Sequence, residues 1–174
     1  ALDDALAAYL MLLKQYAPES LVVMGDSAGG GLALALIHKL LEQGIARPVS
    51  LVVFSPWTDL ANTGESVMEN RQKDHMVPAS LLNQIAAKYI ANGDAKDRYI
   101  SPLYGDFAGF PPSLIFASDS EVLRDDALRV AKKMRESAVP VVMQLWHNLP
   151  HIWPIFSRNM PEARATIEFT DRKS

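Results

Sequence analysis

The chain has 174 residues, about the length of one domain, and its 49% hydrophobic and 21% charged residues fit a folded globular chain rather than a disordered one. Seventeen basic against 20 acidic residues give a net charge of −3 with no basic block, which argues against an electrostatic nucleic-acid binder. The absence of cysteine excludes a disulfide framework, a thiolate metal centre and a cysteine nucleophile.

The chain opens at Ala1 in what reads as mid-helix, the mark of a piece of something longer. Leu2, Leu6, Tyr9, Leu10 and Leu13 recur at helical spacing and predict an amphipathic helix over 2–15. Pro18 punctuates the break, and Leu21 to Met24 is a continuous apolar run suited to a strand covered on both faces of a parallel sheet. Gly25 to Gly31 predicts a tight turn, and residues 32–43, apolar nearly all round, a buried helix. Gly44 and Pro48 close it, and Val49 to Phe54 is the second strand.

From Ala61 to Ser101 some forty residues intervene, with a charged stretch from Glu69 to His75 and a helix at about 79–91. A crossover that long usually carries function, and the segment at about 61–100 reads as a cap or lid insertion. Strands at 113–117 and 140–146 flank a helix over about 122–136, and Pro161 opens a last helix to about residue 170. Strand and helix in alternation predict an α/β fold, a mostly parallel sheet with helices on both faces. The apolar runs 21–24, 32–37 and 49–54 are too short to cross a membrane. No charged-then-apolar leader opens the chain, so a cytoplasmic location is expected.

The chemistry starts at Gly25-Asp26-Ser27-Ala28-Gly29, a G-x-S-x-G match. The pattern alone recurs by chance in about one chain in twenty; its place between a buried strand and an apolar helix is what a nucleophile elbow requires. Gly25 and Gly29 are expected to relieve clashes in the sharp turn. Ser27 then sits at a helix N-terminus with Oγ exposed, and the Ala28 N–H faces a developing oxyanion. The bland reading is a glycine-rich packing turn or a phosphate loop, but no Lys-Ser/Thr follows and no G-x-G-x-x-G spacing occurs.

A serine nucleophile needs a base and an orienting acid, in the order Ser, acid, His for this topology. Of the four histidines, His38 lies within the helix after the elbow and reads as structural, and His75 falls in the long insertion. His147 directly follows the last strand and His151 lies in the loop beyond, which can fold back over the site; this favours His151. The acid follows the strand at 113–117. Asp125 and Asp126 suit the first turn of the next helix, leaving Asp119 and Glu121, which spacing does not separate. Trp57 and Trp153 flank the site in sequence as candidate pocket walls or ordinary core aromatics. Asp26 is expected to brace the elbow by hydrogen bonds, and Asp59 to cap a turn.

The chain resembles the hormone-sensitive-lipase-like group of α/β-hydrolases, the bacterial esterases with a GDSAG elbow. The resemblance covers nearly the whole chain. It rests on Gly25 to Gly30, Ser55-Pro56-Trp57-Thr58-Asp59-Leu60, Ser101-Pro102-Leu103, Gly109-Phe110-Pro111-Pro112, Glu121 to Asp126 and Pro150-His151, in that order. It implies that Glu121 occupies the acid position, where many relatives carry Asp, with Asp119 as the alternative.

The implied activity is hydrolysis of short- to medium-chain acyl esters by Ser27, Glu121 and His151, with no metal or cofactor. A small-molecule ester is the implied partner, and family members often dimerise through the last strand or helix. Such enzymes also carry a His-Gly-Gly motif upstream of the elbow, which is absent from this sequence. The chain therefore reads as the C-terminal half of a catalytic domain. Without the first half, the 21–24 strand is expected to become an exposed apolar edge, and the chain alone to be poorly folded and weakly active. A non-catalytic small-molecule-binding homologue and an inactive truncated product are the competing classes.

Overall fold

A computed structural model describes residues 1–173. Four parallel strands run in the order β1 (Val22–Asp26), β2 (Ser50–Phe54), β3 (Ser113–Ser118) and β4 (Val141–Trp146). Around them lie α1 (Leu2–Leu12), α2 (Ser27–Glu42), α3 (Ser66–Glu69), α4 (Ala79–Ile90), α5 (Arg124–Glu136) and α6 (Pro161–Lys173). Register is continuous: Val52 pairs with Met24 and with Leu114, which in turn pairs with Val142. All four strands therefore end at one rim, where the loops that carry chemistry in an open α/β sheet gather.

The two central strands β2 and β3 are buried almost throughout, as their continuous apolar runs require. On one face α1, α2 and α5 cover them, and Leu34, Ile37, Leu40, Leu51, Val53, Ile115 and Met134 form the main core. On the other face Val52, Leu114 and Phe116 pack against Trp153, Ala163 and Phe169, with Phe54 stacked on Phe116 at 5.0 Å.

β1 differs from a strand covered on both faces. It stands at one edge of the described sheet, and its burial alternates, with Val22 and Met24 facing outward. The turn after it is also tighter than the seven-residue span expected from the glycines. β1 continues to Asp26 and α2 begins at Ser27, so the reversal is made by one residue. Helix ends elsewhere fall within a few residues of their periodicity, α1 stopping at Leu12 and α6 running to Lys173.

His38 is structural. It lies 4% exposed in α2, edge-on to Phe110 at 4.7 Å and tilted against Phe107 at 5.2 Å, with Nε2 3.1 Å from the Pro102 carbonyl. That carbonyl only accepts, so Nε2 carries the proton. Burial pushes its pKa down to about 4, against the raising effect of the Pro102 carbonyl.

The long insertion is not a uniform flap. Its first part is stitched to the loop after β3. The Ser66 hydroxyl donates to Val122 O, and the Asn70 amide donates to both Asp119 O and Glu121 O at 2.8 Å. Asp74 accepts from Val122 N, and Arg124 bridges to Glu69. α4 then lies across Trp57 and Leu60, packing Leu82 and Ala86 against Val122 and Leu123. Among the described residues no helix is long and apolar enough to cross a membrane.

Candidate active site

The elbow is built by backbone constraint. Ser27 holds φ at 51°, in the left-handed region that a non-glycine residue keeps only where its surroundings enforce it. Gly25 lets α2 fold back onto the strand, because a side chain there would run into the Gly29 carbonyl. Gly29, expected to serve the same purpose, has open space where its Cβ would be; the steric demand falls on Gly25 alone of that pair. Asp26 does not brace the turn as expected. Its side chain is exposed and forms no capping hydrogen bond, since β1 points it outward at the end of the strand. Instead the Trp57 N–H donates to the Ser27 carbonyl at 2.9 Å, fastening the elbow to the segment after β2.

Three side chains from three loops meet above the strand ends. His151 Nε2 lies 2.9 Å from Ser27 Oγ, and His151 Nδ1 lies 2.9 Å from Glu121 Oε2. Glu121 and His151 are 1% and 4% exposed. A carboxylate only accepts, so Nδ1 donates to Glu121, leaving Nε2 free to accept the Ser27 proton. The other carboxylate oxygen, Oε1, accepts from Ser118 N and from the Ser55 hydroxyl, both at 2.8 Å. Three donors thus hold one carboxylate in a fixed plane.

Asp119 lies elsewhere. Its Oδ2 is 2.7 Å from His147 Nδ1, and its Oδ1 accepts from Asn148 N. The Asn148 N–H, with His147 adding, holds this carboxyl below the ordinary aspartate value. The His147 side chain is 90% exposed. The pair is a surface contact that closes the loop after β4 and leaves His151 to the buried acid. His75 is exposed in the insertion.

Asp59 accepts from Ala61 N and Thr63 N, the turn-capping part expected of it, and is also paired with Arg129. Asp126, buried beside it, accepts from Thr58 N and Asp59 N at 2.7 and 2.8 Å. Burial raises its carboxyl to about 6 against those donors and the Arg129 charge. These contacts fix the turn that carries Trp57.

A cavity of about 100 Å³ opens at Ala28, the residue after Ser27. Ala28, Leu32, Trp57, Leu60, Ile85 and Tyr89 are among its walls, and its lining is mostly apolar. Trp57 is buried, its indole N–H shared between Asp59 O and Asn62 Oδ1, with the ring left to form a wall. Trp153 does not share that role. It is fully buried in the core under the sheet, 6.0 Å from Trp146, with its N–H donated to Thr166 Oγ1 at 2.9 Å. Its place two residues after His151 put it near the site in sequence, but the turn at Ile152, with φ at 48°, sends it inward. A larger outer groove along Asn62, Met68 and Asn83 includes none of Ser27, Glu121 and His151.

Sequence reasoning passed over Ser55, Ser118, Asn70 and Asp74, all of which hold the acid loop. Ser55 was legible only as part of Ser-Pro-Trp at a strand end; the insertion residues carried no signal in a charged stretch.

The family model described as alpha/beta hydrolase fold matches residues 1–155. An acetyl-hydrolase of Streptomyces hygroscopicus is 37% identical over 97% of this chain and 56% of its own length. Esterase LipU of Mycobacterium tuberculosis is 37% identical over 94% and 57%. Among solved structures, an esterase of the bacterial hormone-sensitive lipase family superposes with a TM-score of 0.93 at 35% identity, covering 95% of this chain and 56% of that one. A hormone-sensitive lipase from a metagenome library gives 0.94 at 32% identity, covering 98% and 59%. The chain thus spans a little over half the length of the relatives it matches. From its motifs, its parallel sheet and these matches together, the chain belongs to the α/β-hydrolase family, in the hormone-sensitive-lipase-like group of esterases.

Proposed function

We propose that this chain carries the triad of a carboxylic-ester hydrolase, with Ser27 as nucleophile, His151 as base and Glu121 as orienting acid. The observation that carries the reading is the unbroken hydrogen-bond chain from Ser27 Oγ through both nitrogens of His151 to Glu121.

Ser27 Oγ attacks the ester carbonyl carbon as its proton passes to His151 Nε2. Glu121 keeps the imidazole in the tautomer that can accept, and stabilises the imidazolium that forms. The tetrahedral oxyanion is received at the start of α2, where the Ala28 N–H belongs to a helix turn whose first donors have no intrahelical partner. The proton on Nε2 then passes to the leaving alkoxide, and the alcohol departs, leaving an acyl–Ser27 ester. Water attacks that ester as its proton passes to His151 Nε2; the acyl–Oγ bond then breaks, His151 returns the proton to Ser27 Oγ, and the acid leaves with both residues restored.

The apolar cavity beside Ala28 suits a hydrocarbon group of modest length, in keeping with short- to medium-chain acyl esters. Residues 61–100 act as the cap over that cavity, and the chain forms part of a larger catalytic domain in which further backbone donors complete the oxyanion hole. One oxyanion donor contributes about 3–4 kcal/mol of transition-state stabilisation, so this chain alone is expected to turn over slowly.

The test is hydrolysis of p-nitrophenyl butyrate by this chain, by the product of the complete reading frame, and by Ser27→Ala in that product. Turnover by the full product that disappears in Ser27→Ala supports the reading. A well-folded full product that is silent on short esters overturns it, and a ligand-binding role for the same pocket then leads.

A further inference from the structure

The segment after β2 bonds to Ser27, to Glu121 and to Ile152, the residue next to His151. The Trp57 N–H holds the Ser27 carbonyl at 2.9 Å. Two residues earlier, Ser55 is fully buried, with its own N–H donated to Phe116 O at 2.7 Å. Its φ of 47° is one of the left-handed values that non-glycine residues rarely hold.

The Ser55 hydroxyl makes two contacts whose polarity is fixed. Ile152 N–H can only donate, so Oγ accepts there, at 3.1 Å. Its single proton is then free for Glu121 Oε1, at 2.8 Å. One oxygen atom therefore pins the acid from behind and anchors the residue next to His151. With Oε1 held by Ser55 and Ser118 N, Oε2 is aimed at His151 Nδ1. Ile152 holds φ at 48°, and its N–H anchor keeps that turn, and so the ring of His151, in place.

We infer that Ser55 is a positioning residue for the reaction, setting the alignment of Glu121 with His151 from both ends while touching no substrate. This rests on the triad reading above.

The clean probe is Ser55→Gly in the product of the complete reading frame. Glycine accepts a φ of 47°, so the turn is kept and only the hydroxyl is lost. Active sites are counted by the p-nitrophenol released on phosphorylation of the serine by diethyl p-nitrophenyl phosphate. The kcat and KM for p-nitrophenyl butyrate are then measured across pH per titrated site.

Losing a hydrogen bond to a charged group predicts a kcat per site lowered about tenfold to a hundredfold. KM should stay within twofold, and the acidic limb of kcat/KM should move to lower pH as the imidazolium loses its aligned partner. Ser55→Cys, which keeps a weak donor, should fall between parent and glycine. If Ser55→Gly merely lowers the number of titratable sites, with per-site kcat and acidic limb unchanged, the hydroxyl only supports folding and the inference is wrong. Turnover that survives Ser27→Ala sinks the triad itself, an outcome distinct from a normal Ser55→Gly beside a dead Ser27→Ala.

Discussion

His38 supplies a sharp test of how burial shapes this fold. Its imidazole is buried against Phe107 and Phe110, and that burial pushes its pKa from 6.5 down to about 4 although the hydrogen bond to the Pro102 carbonyl opposes the shift. The unfolded chain therefore binds a proton at pH values where the folded protein does not. Stability from this site is fully present above pH 6.5 and declines as the pH falls toward 4. Each unit between the two values is about 1.4 kcal/mol, so the whole descent carries roughly 3 kcal/mol and the part down to pH 5 roughly 2 kcal/mol. Replacing His38 with Gln keeps a donor for Pro102 O and removes the titration. Urea midpoints of the two full-length proteins at pH 7.5 and pH 5 measure the effect. With an m-value of about 2 kcal/mol/M, the parent should lose about 1 M more than the variant. Carboxylates titrate alike in both, so the difference isolates His38. A gap between the two proteins that stays constant from pH 7.5 to pH 5 would refute the reasoning.

Other outcomes follow from the same geometry. Glu121→Gln should lower kcat for p-nitrophenyl butyrate by roughly 10³- to 10⁴-fold, whereas Asp119→Asn should leave it within about twofold; equal losses would mean that the buried acid has been misassigned. Arg129→Met leaves the buried carboxylates of Asp59 and Asp126 without their cation. Breaking such a pair from one side costs roughly 3–5 kcal/mol, and Arg129's partial exposure places the expected loss near the lower end, read as a fall in melting temperature. In Gly31→Ala the new Cβ is directed onto the Trp57 carbonyl, so a loss of about 1–3 kcal/mol should accompany reduced turnover, measured by chemical denaturation and by the same ester assay.

Much of this was legible because the strongest signals are backbone and burial signals. The apolar runs of β2 and β3 are continuous because both faces are covered, and that cover is what the structure shows. Ser27 stood out because strand, glycine turn and apolar helix occur in one order. Other features depend on partners distant in sequence, and no local pattern reports them. Trp153 looked like a pocket wall because it follows His151, but a left-handed Ile152 turns it into the core. Asp119 and Glu121 are two residues apart and of like charge. What separates them is the surroundings: Glu121 meets Ser55, Ser118 N and His151 in the interior, and Asp119 meets His147 at the surface. The seam formed by Ser66, Asn70 and Asp74 was hidden because small polar residues in a charged stretch look solvated until their carbonyl and N–H partners come into view.

The two faces of α4 carry an evolutionary consequence. Leu82 and Ala86 look inward onto Val122 and Leu123, the residues directly after Glu121. Ile85 and Tyr89 look into the cavity and are half exposed. Drift at the first pair disturbs the loop that bears the acid; drift at the second changes only the room offered to a guest. On the proposed triad reading, substrate range can therefore diversify at two positions of one short helix while the alignment of Glu121 is held constant by their neighbours three residues away.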